Sequence, residues 1–310
     1  MKKIFVTIAA VVLAAGVAFA QDLSQVTELY NSAAEALNAG EKESALASFE
    51  QALTQAKALG EEGAGIVENC QGIIPTLYLS VAKDAVKAGD IDAAVEKLQK
   101  TAAVAEEFEA WDVASQAQDL IPQVLMQQAG KLLNAKDYDA AAAAYKKVLE
   151  FNPTNGMAAL RLGVALNAAG DLEGALAAFD TASANGQEAA VQKQLSNIYL
   201  KQAAGALKEK KYAEAVEFAG KVNEIAENAQ AYQIAAQASQ LGGKNNDAIK
   251  YFEKYLEVSP DAKNAGQIAY TLGALYQQAG NKAKAKEFYQ KASSDAKFGA
   301  EAKKMLDALK

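Results

Sequence analysis

Two stretches of this chain say the same thing at a fixed distance. Residues 132–145 read LLNAKDYDAAAAAY, and 34 residues later 166–179 read LNAAGDLEGALAAF. Gly170 falls on Lys136, Asp171 on Asp137, Ala175 on Ala141 and Phe179 on Tyr145. Each copy runs from the end of one helical pattern, through a short Asn/Gly/Asp turn, into the next helical pattern. A single helix pair cannot bury its own apolar face. Stacked copies make a continuous core, so a recurring helix–turn–helix constrains the chain to a repeat architecture.

The rest of the chain is written in the same vocabulary. Alanine, leucine, glutamate, lysine and glutamine dominate, all good helix formers, and proline occurs four times in 310 residues. No segment sustains the apolar–polar alternation of a strand. Short turns punctuate the pattern at 38–42, 87–91, 134–138, 167–172, 208–212, 241–246 and 278–282. Five residues after the Gly or Lys of each turn stands an alanine: Ala45, Ala94, Ala141, Ala175, Ala215, Ala248 and Ala285. Four residues further on stands Phe49, Leu98, Tyr145, Phe179, Phe252 or Tyr289, and only the fifth unit breaks the rule, with Ala219 beside Phe218. The small residue lets two antiparallel helices approach. The large one, a turn later, plugs the groove between one pair and the next.

This pattern resembles the tetratricopeptide repeat family, whose unit is a helix pair with a small residue, an alanine and an aromatic at fixed positions and often a terminal proline. The last unit carries it most fully, with Leu272-Gly273, Tyr276, Ala285, Tyr289 and Ala292, and Pro153 and Pro260 fall where the family's terminal proline falls. The resemblance covers residues 26–299 and implies an all-α fold, a right-handed superhelical solenoid of about seven helix pairs with a C-terminal capping helix. The expected organisation is 21–121 as units with lengthened helices, 122–299 as ordinary units and 300–310 as the cap, on which Phe298, Ala302, Met305, Leu306 and Leu309 share one face. The anchor alanines are 49, 47, 34, 40, 33 and 37 residues apart. The first two spacings predict helices longer by two to four turns, since the segments around Pro75 and Pro122 are cognate at 47 residues.

Residues 1–20, MKKIFVTIAAVVLAAGVAFA, have a basic start, a short apolar centre and an A-x-A end, which describes a secretory signal peptide cleaved after Ala20. The apolar run is short for a membrane span. The expected compartment is the periplasm, with no transmembrane segment left after cleavage. Without residues 1–20 the chain has 29 basic and 38 acidic residues, a net −9 that opposes a nucleic-acid partner. The charge is uneven: residues 21–120 carry a net −12 and residues 281–310 a net +4. Such faces are either simply solvated or attract oppositely charged partners. The lone Cys70 cannot form an internal disulfide; it is a buried small apolar residue or it pairs with another molecule.

The chemistry of catalysis is missing from the residue inventory. The chain has no histidine, which removes Ser-His-Asp and Cys-His arrangements and the usual zinc sites. No phosphate-cradling glycine loop is present, since LGGK at 241–244 lacks the flanking glycine and the Ser or Thr. Glu61-Glu62 and Glu106-Glu107 read as solvated helix ends, and the sole tryptophan, Trp111, as a residue packed between helices. The expectation is a non-enzymatic chain with no cofactor and no metal.

The resemblance also implies where a partner would bind, in a concave groove lined by the first helix of each unit. Carried over position by position, the family's groove residues fall on Asn134 and Asn167, on Gln230, Gln233, Gln237 and Gln240, and on Tyr270 and Gln277. The four glutamines of 230–240 share one helical face. Amides donate and accept, so a row of them suits the backbone of an extended peptide. It equally suits plain solvation. The one arginine, Arg161, leaves no Lys/Arg/Asn clamp for a terminal carboxylate. Two readings follow: a scaffold or adaptor for protein or peptide partners, in envelope assembly or complex organisation, or a structural protein that self-associates through its acidic and basic ends.

Overall fold

A computed structural model describes residues 19–309, with side chains from residue 22. The expected signal peptide lies outside the described residues, except for the backbone of Phe19 and Ala20 at the start of the first helix. Among the described residues there are fifteen α-helices and no strand. They are α1 (Phe19–Ala39), α2 (Lys42–Ala58), α3 (Ala64–Ala88), α4 (Ile91–Glu107), α5 (Trp111–Asn134), α6 (Tyr138–Phe151), α7 (Gly156–Ala169) and α8 (Leu172–Ala182). There follow α9 (Glu188–Lys208), α10 (Tyr212–Ile225), α11 (Ala229–Leu241), α12 (Asn245–Val258), α13 (Ala265–Gln278), α14 (Lys282–Ala292) and α15 (Gly299–Ala308). No described helix is long and apolar enough to cross a membrane.

The helices form two compact units that divide between Gly186 and Gln187. The first holds four consecutive pairs, α1 to α8. The second holds three, α9 to α14, and α15 packs on α14. Within each unit the fold is an all-α stack of antiparallel pairs, as the sequence predicts.

One local device makes every pair. At the seven turns within pairs, the residue five before the anchor alanine has a left-handed backbone: Gly40, Gly89, Lys136, Gly170, Lys210, Gly243 and Gly280. In six of them the next residue donates its N–H back to the carbonyl five residues earlier, as Asp171 does to Leu166 at 2.9 Å and Asn281 to Tyr276 at 2.9 Å. These bonds satisfy carbonyls that a helix end otherwise leaves bare. Asp90, Asp137, Asp171 and Asn281 then cap the second helix, each accepting from the N–H three residues on. In those four pairs the chain reverses within three residues and enters the second helix already capped.

The anchors behave as their size demands. All seven alanines are fully buried, and so are Phe49, Leu98, Tyr145 and Tyr289, with Phe179 and Phe252 nearly so. Each large side chain contributes roughly 1.5–3 kcal/mol by leaving water. Two glycines show how closely the helices approach. A Cβ on Gly163 would lie 2.5 Å from the Phe179 ring, and one on Gly273 would lie 2.6 Å from the Tyr289 ring. The aromatic of one helix therefore rests on the bare backbone of its partner.

The long helices are α3 and α5, 25 and 24 residues, against 14 for α7 and α13. Each carries its proline inside, Pro75 and Pro122. A proline lacks the N–H that the carbonyl four residues earlier requires, so Gln71 and Gln118 lose a helical donor. The helix α9 is also long, at 21 residues, and it accounts for the 40-residue step between Ala175 and Ala215.

The face of α15 is as read. Ala302 is buried and Met305, Leu306 and Leu309 are partly buried in the last core cluster, while the Phe298 ring stacks on Tyr270 at 5.6 Å. Cys70 is fully buried, and burial pushes its thiol up to about 12. It is the small apolar residue of the first alternative. One expectation fails. Trp111 does not pack between helices but stands 64% exposed at the first position of α5. The face of α5 that packs inward carries Val113, Ala114 and Ala117 instead.

Candidate partner-binding face

Within each unit the first helices of neighbouring pairs touch, α3 with α5 and α9 with α11. All eight candidate binding residues lie on first helices. In the first unit these are Asn134, at the last turn of α5, and Asn167, near the end of α7. Both are exposed, and their side chains make no hydrogen bond among the described residues.

The second unit holds the denser set. Along α11, Ala231, Ile234, Ala235, Ala236, Ala238 and Ser239 are buried. They commit most of the circumference of this 13-residue helix to the core. The uncommitted strip is Gln230, Gln233, Gln237 and Gln240. Gln230 and Gln240 are exposed at its ends, and Gln233 and Gln237 are half-buried in the middle. None of the four makes a side-chain hydrogen bond among the described residues. A half-buried amide of this kind can both donate and accept, which is the chemistry a peptide backbone also offers.

Tyr270 and Gln277, both on α13, are differently placed. The ring of Tyr270 lies between Tyr289, 5.6 Å away and tilted, and Phe298, 5.6 Å away and stacked. It is half-buried and holds the cap to the last pair. Gln277 is also occupied, its Oε1 accepting the Tyr289 hydroxyl at 2.9 Å. The sequence places all eight residues on first helices. The structure brings the four glutamines into one strip and gives Tyr270 and Gln277 structural partners.

Sequence reasoning passes over three polar groups. The hydroxyls of Tyr145 and Ser239 and the side-chain oxygen of Gln202 are buried without a partner. Gln202 lies on α9, the helix beside α11. No composition signal marks these groups, because orphanhood depends on the neighbours' geometry. Among the described residues no group of acidic or thiol side chains is arranged to hold a metal ion.

Models of the tetratricopeptide repeat match residues 132–198, 229–262 and 266–294. Over those residues the chain is built of tetratricopeptide repeats. No curated protein sequence matches it. Among solved structures it is similar to MamA, at 20% identity over 56% of this chain and 96% of that one, with a TM-score of 0.33. It is similar to PilF of Pseudomonas aeruginosa, at 17% identity over 60% and 81%, with a TM-score of 0.31. YrrB, a TPR protein with an unusual peptide-binding site, is 20% identical over 58% and 91%, with a TM-score of 0.33.

Proposed function

We propose that the chain is an exported, non-enzymatic scaffold that holds a protein or an extended peptide on the first-helix face of its second unit. The observation that carries this is the α11 strip, four amides in one row, the central pair half-buried and unpartnered. Amides recognise backbone rather than side chains, so the face would accept a segment by its extended shape, with modest affinity, on the order of micromolar, because the segment loses freedom on binding. The repeat family supports a role in protein interaction. Export rests on residues 1–20 and places the proposed work in the periplasm, in assembling or organising envelope complexes.

The test is cross-linking in cells of the tagged chain, followed by mass spectrometry, beside a Gln233→Ala plus Gln237→Ala variant. Tyr270 is left intact because its ring holds the cap. A defined partner should be captured by the natural chain and reduced about tenfold in the variant. Equal capture by both would reject the face. Amino-terminal sequencing of protein from the periplasmic fraction should begin at Gln21; an intact Met1 in the cytoplasm would reject export.

A further inference from the structure

The start of α5 carries a second surface with a different chemistry. Residues 101–130 hold five carboxylates, on Glu106, Glu107, Glu109, Asp112 and Asp119, and no lysine or arginine. All five are exposed, and none forms an ion pair among the described residues. Carboxylates alone would be an ordinary solvated helix end. Here they accompany exposed apolar side chains. Of the four large apolar residues that stand exposed among the described residues, three are Trp111 (64%), Phe151 (42%) and Met157 (41%). They belong to α5, α6 and α7, which pack consecutively.

Between α4, α5 and the end of α6 lies a cavity of about 440 Å³, lined by Ala102, Ala103, Glu106, Gln118, Ile121 and Phe151. Its floor is apolar and its rim is polar. Glu106 accepts from the Gln118 side chain at 2.7 Å, which holds one carboxylate at that rim. Pro122 leaves the Gln118 carbonyl without its helical donor, which adds a backbone acceptor beside it. Trp111 lies two turns from Gln118 on the same face of α5. The turn that aims it is held by Glu109 in a left-handed backbone, φ 57°, unusual for a residue with a side chain.

We propose that this surface docks a cationic segment of a partner protein, one that carries an apolar anchor residue between lysines or arginines. The anchor enters the cavity against Phe151 and Ile121. The flanking cations reach Glu106, Glu107, Asp112 and the Gln118 carbonyl, and Trp111 closes over a cation or the anchor's stem. Charge complementarity selects the occupant: an acidic peptide would meet five unneutralised carboxylates, and a neutral apolar one would leave them unpaired. The surface shares no residue with the α11 strip, so the two can fail independently.

Trp111 is the chain's only tryptophan, so its emission reports on this surface directly. The full chain is titrated with a short synthetic peptide alternating Lys and Leu, with Glu/Leu and Lys/Ser peptides as controls. The expected result is a saturable blue shift with the Lys/Leu peptide alone. Glu107→Gln plus Asp112→Asn should weaken it about tenfold, and so should Phe151→Ala, while the charge-matched Glu41→Gln plus Glu43→Gln should leave it unchanged. Unchanged emission, equal binding of the Lys/Ser peptide, or equal weakening by both double variants would each overturn the proposal. So would a concentration-dependent shift without peptide accompanied by a sedimenting dimer, since the occupant would then be a second copy of this chain.

Discussion

Tyr145 in the first unit and Tyr289 in the second fill the same place in their helix pairs, and both are fully buried. Only one has a use for its hydroxyl. Tyr289 donates to Gln277 at 2.9 Å, whereas the hydroxyl of Tyr145 has no partner in the structure. The residue twelve positions earlier is Gln277 in one pair and Leu133 in the other. The repeat therefore copies a volume, an aromatic ring filling a groove, and leaves the polar edge to each copy. What recurs along this chain is packing; what individualises a unit is the polar group beside it. The α11 amide strip and the acidic corner at Trp111 are two such individual features on one repeated frame.

If the rings matter by volume, truncating either should cost about the same. Tyr145→Ala and Tyr289→Ala should each destabilise by about 3–5 kcal/mol in urea unfolding of their own unit. A large inequality would mean that the two sites are not packing equivalents. Removing only the hydroxyl should separate them. Tyr289→Phe should cost about 1 kcal/mol, while Tyr145→Phe should be neutral or stabilising, because it deletes an orphaned polar atom. A matching loss at both would show that Tyr145 has a partner after all.

The turns allow the same kind of comparison on a smaller scale. Lys136 and Lys210 stand where Gly170 and Gly280 stand, at φ 64° and 62°. A side chain is strained there, so Lys136→Gly and Lys210→Gly should each stabilise by up to about 1 kcal/mol. Gly170→Ala should do the reverse. The smallest effect is expected at Asp84, which bridges Lys42 of α2 and Lys87 of its own helix. The hydrogen bonds from these two lysines hold the Asp84 carboxyl below its usual range. A lowered folded pKa contributes stability above the unfolded value, near 3.9, and loses it as the pH falls through the folded value. Asp84→Asn should therefore cost at most about 1 kcal/mol at neutral pH, and the difference should vanish in acid.

Much of this frame is legible in the sequence because its causes are local. A left-handed residue, a cap and a small residue five positions on are all set within one turn of chain, and Gly170 through Ala175 or Gly280 through Ala285 announce them. The plugs follow four residues later by helical geometry alone. The exposure of Trp111 is not legible in this way. It depends on which face of α5 meets α4 and α6, and Val113, Ala114 and Ala117 win that contest as a group. The occupied state of Gln277 and the vacancy at Tyr145 depend on a contact across two helices, which no spacing encodes. Of the candidate face, the sequence shows the row of glutamines. It does not show that the middle two are half-buried while the outer two are exposed.

The central claim is that a partner lies against the α11 strip, and site-specific photo-cross-linking tests it most directly. A photoreactive residue is placed at Gln237 in one version of the chain and at Lys250, exposed on the neighbouring α12, in another. The account predicts that position 237 captures one defined protein in cells and that position 250 does not. Capture of the same protein with equal yield from both positions, or from neither, would contradict it.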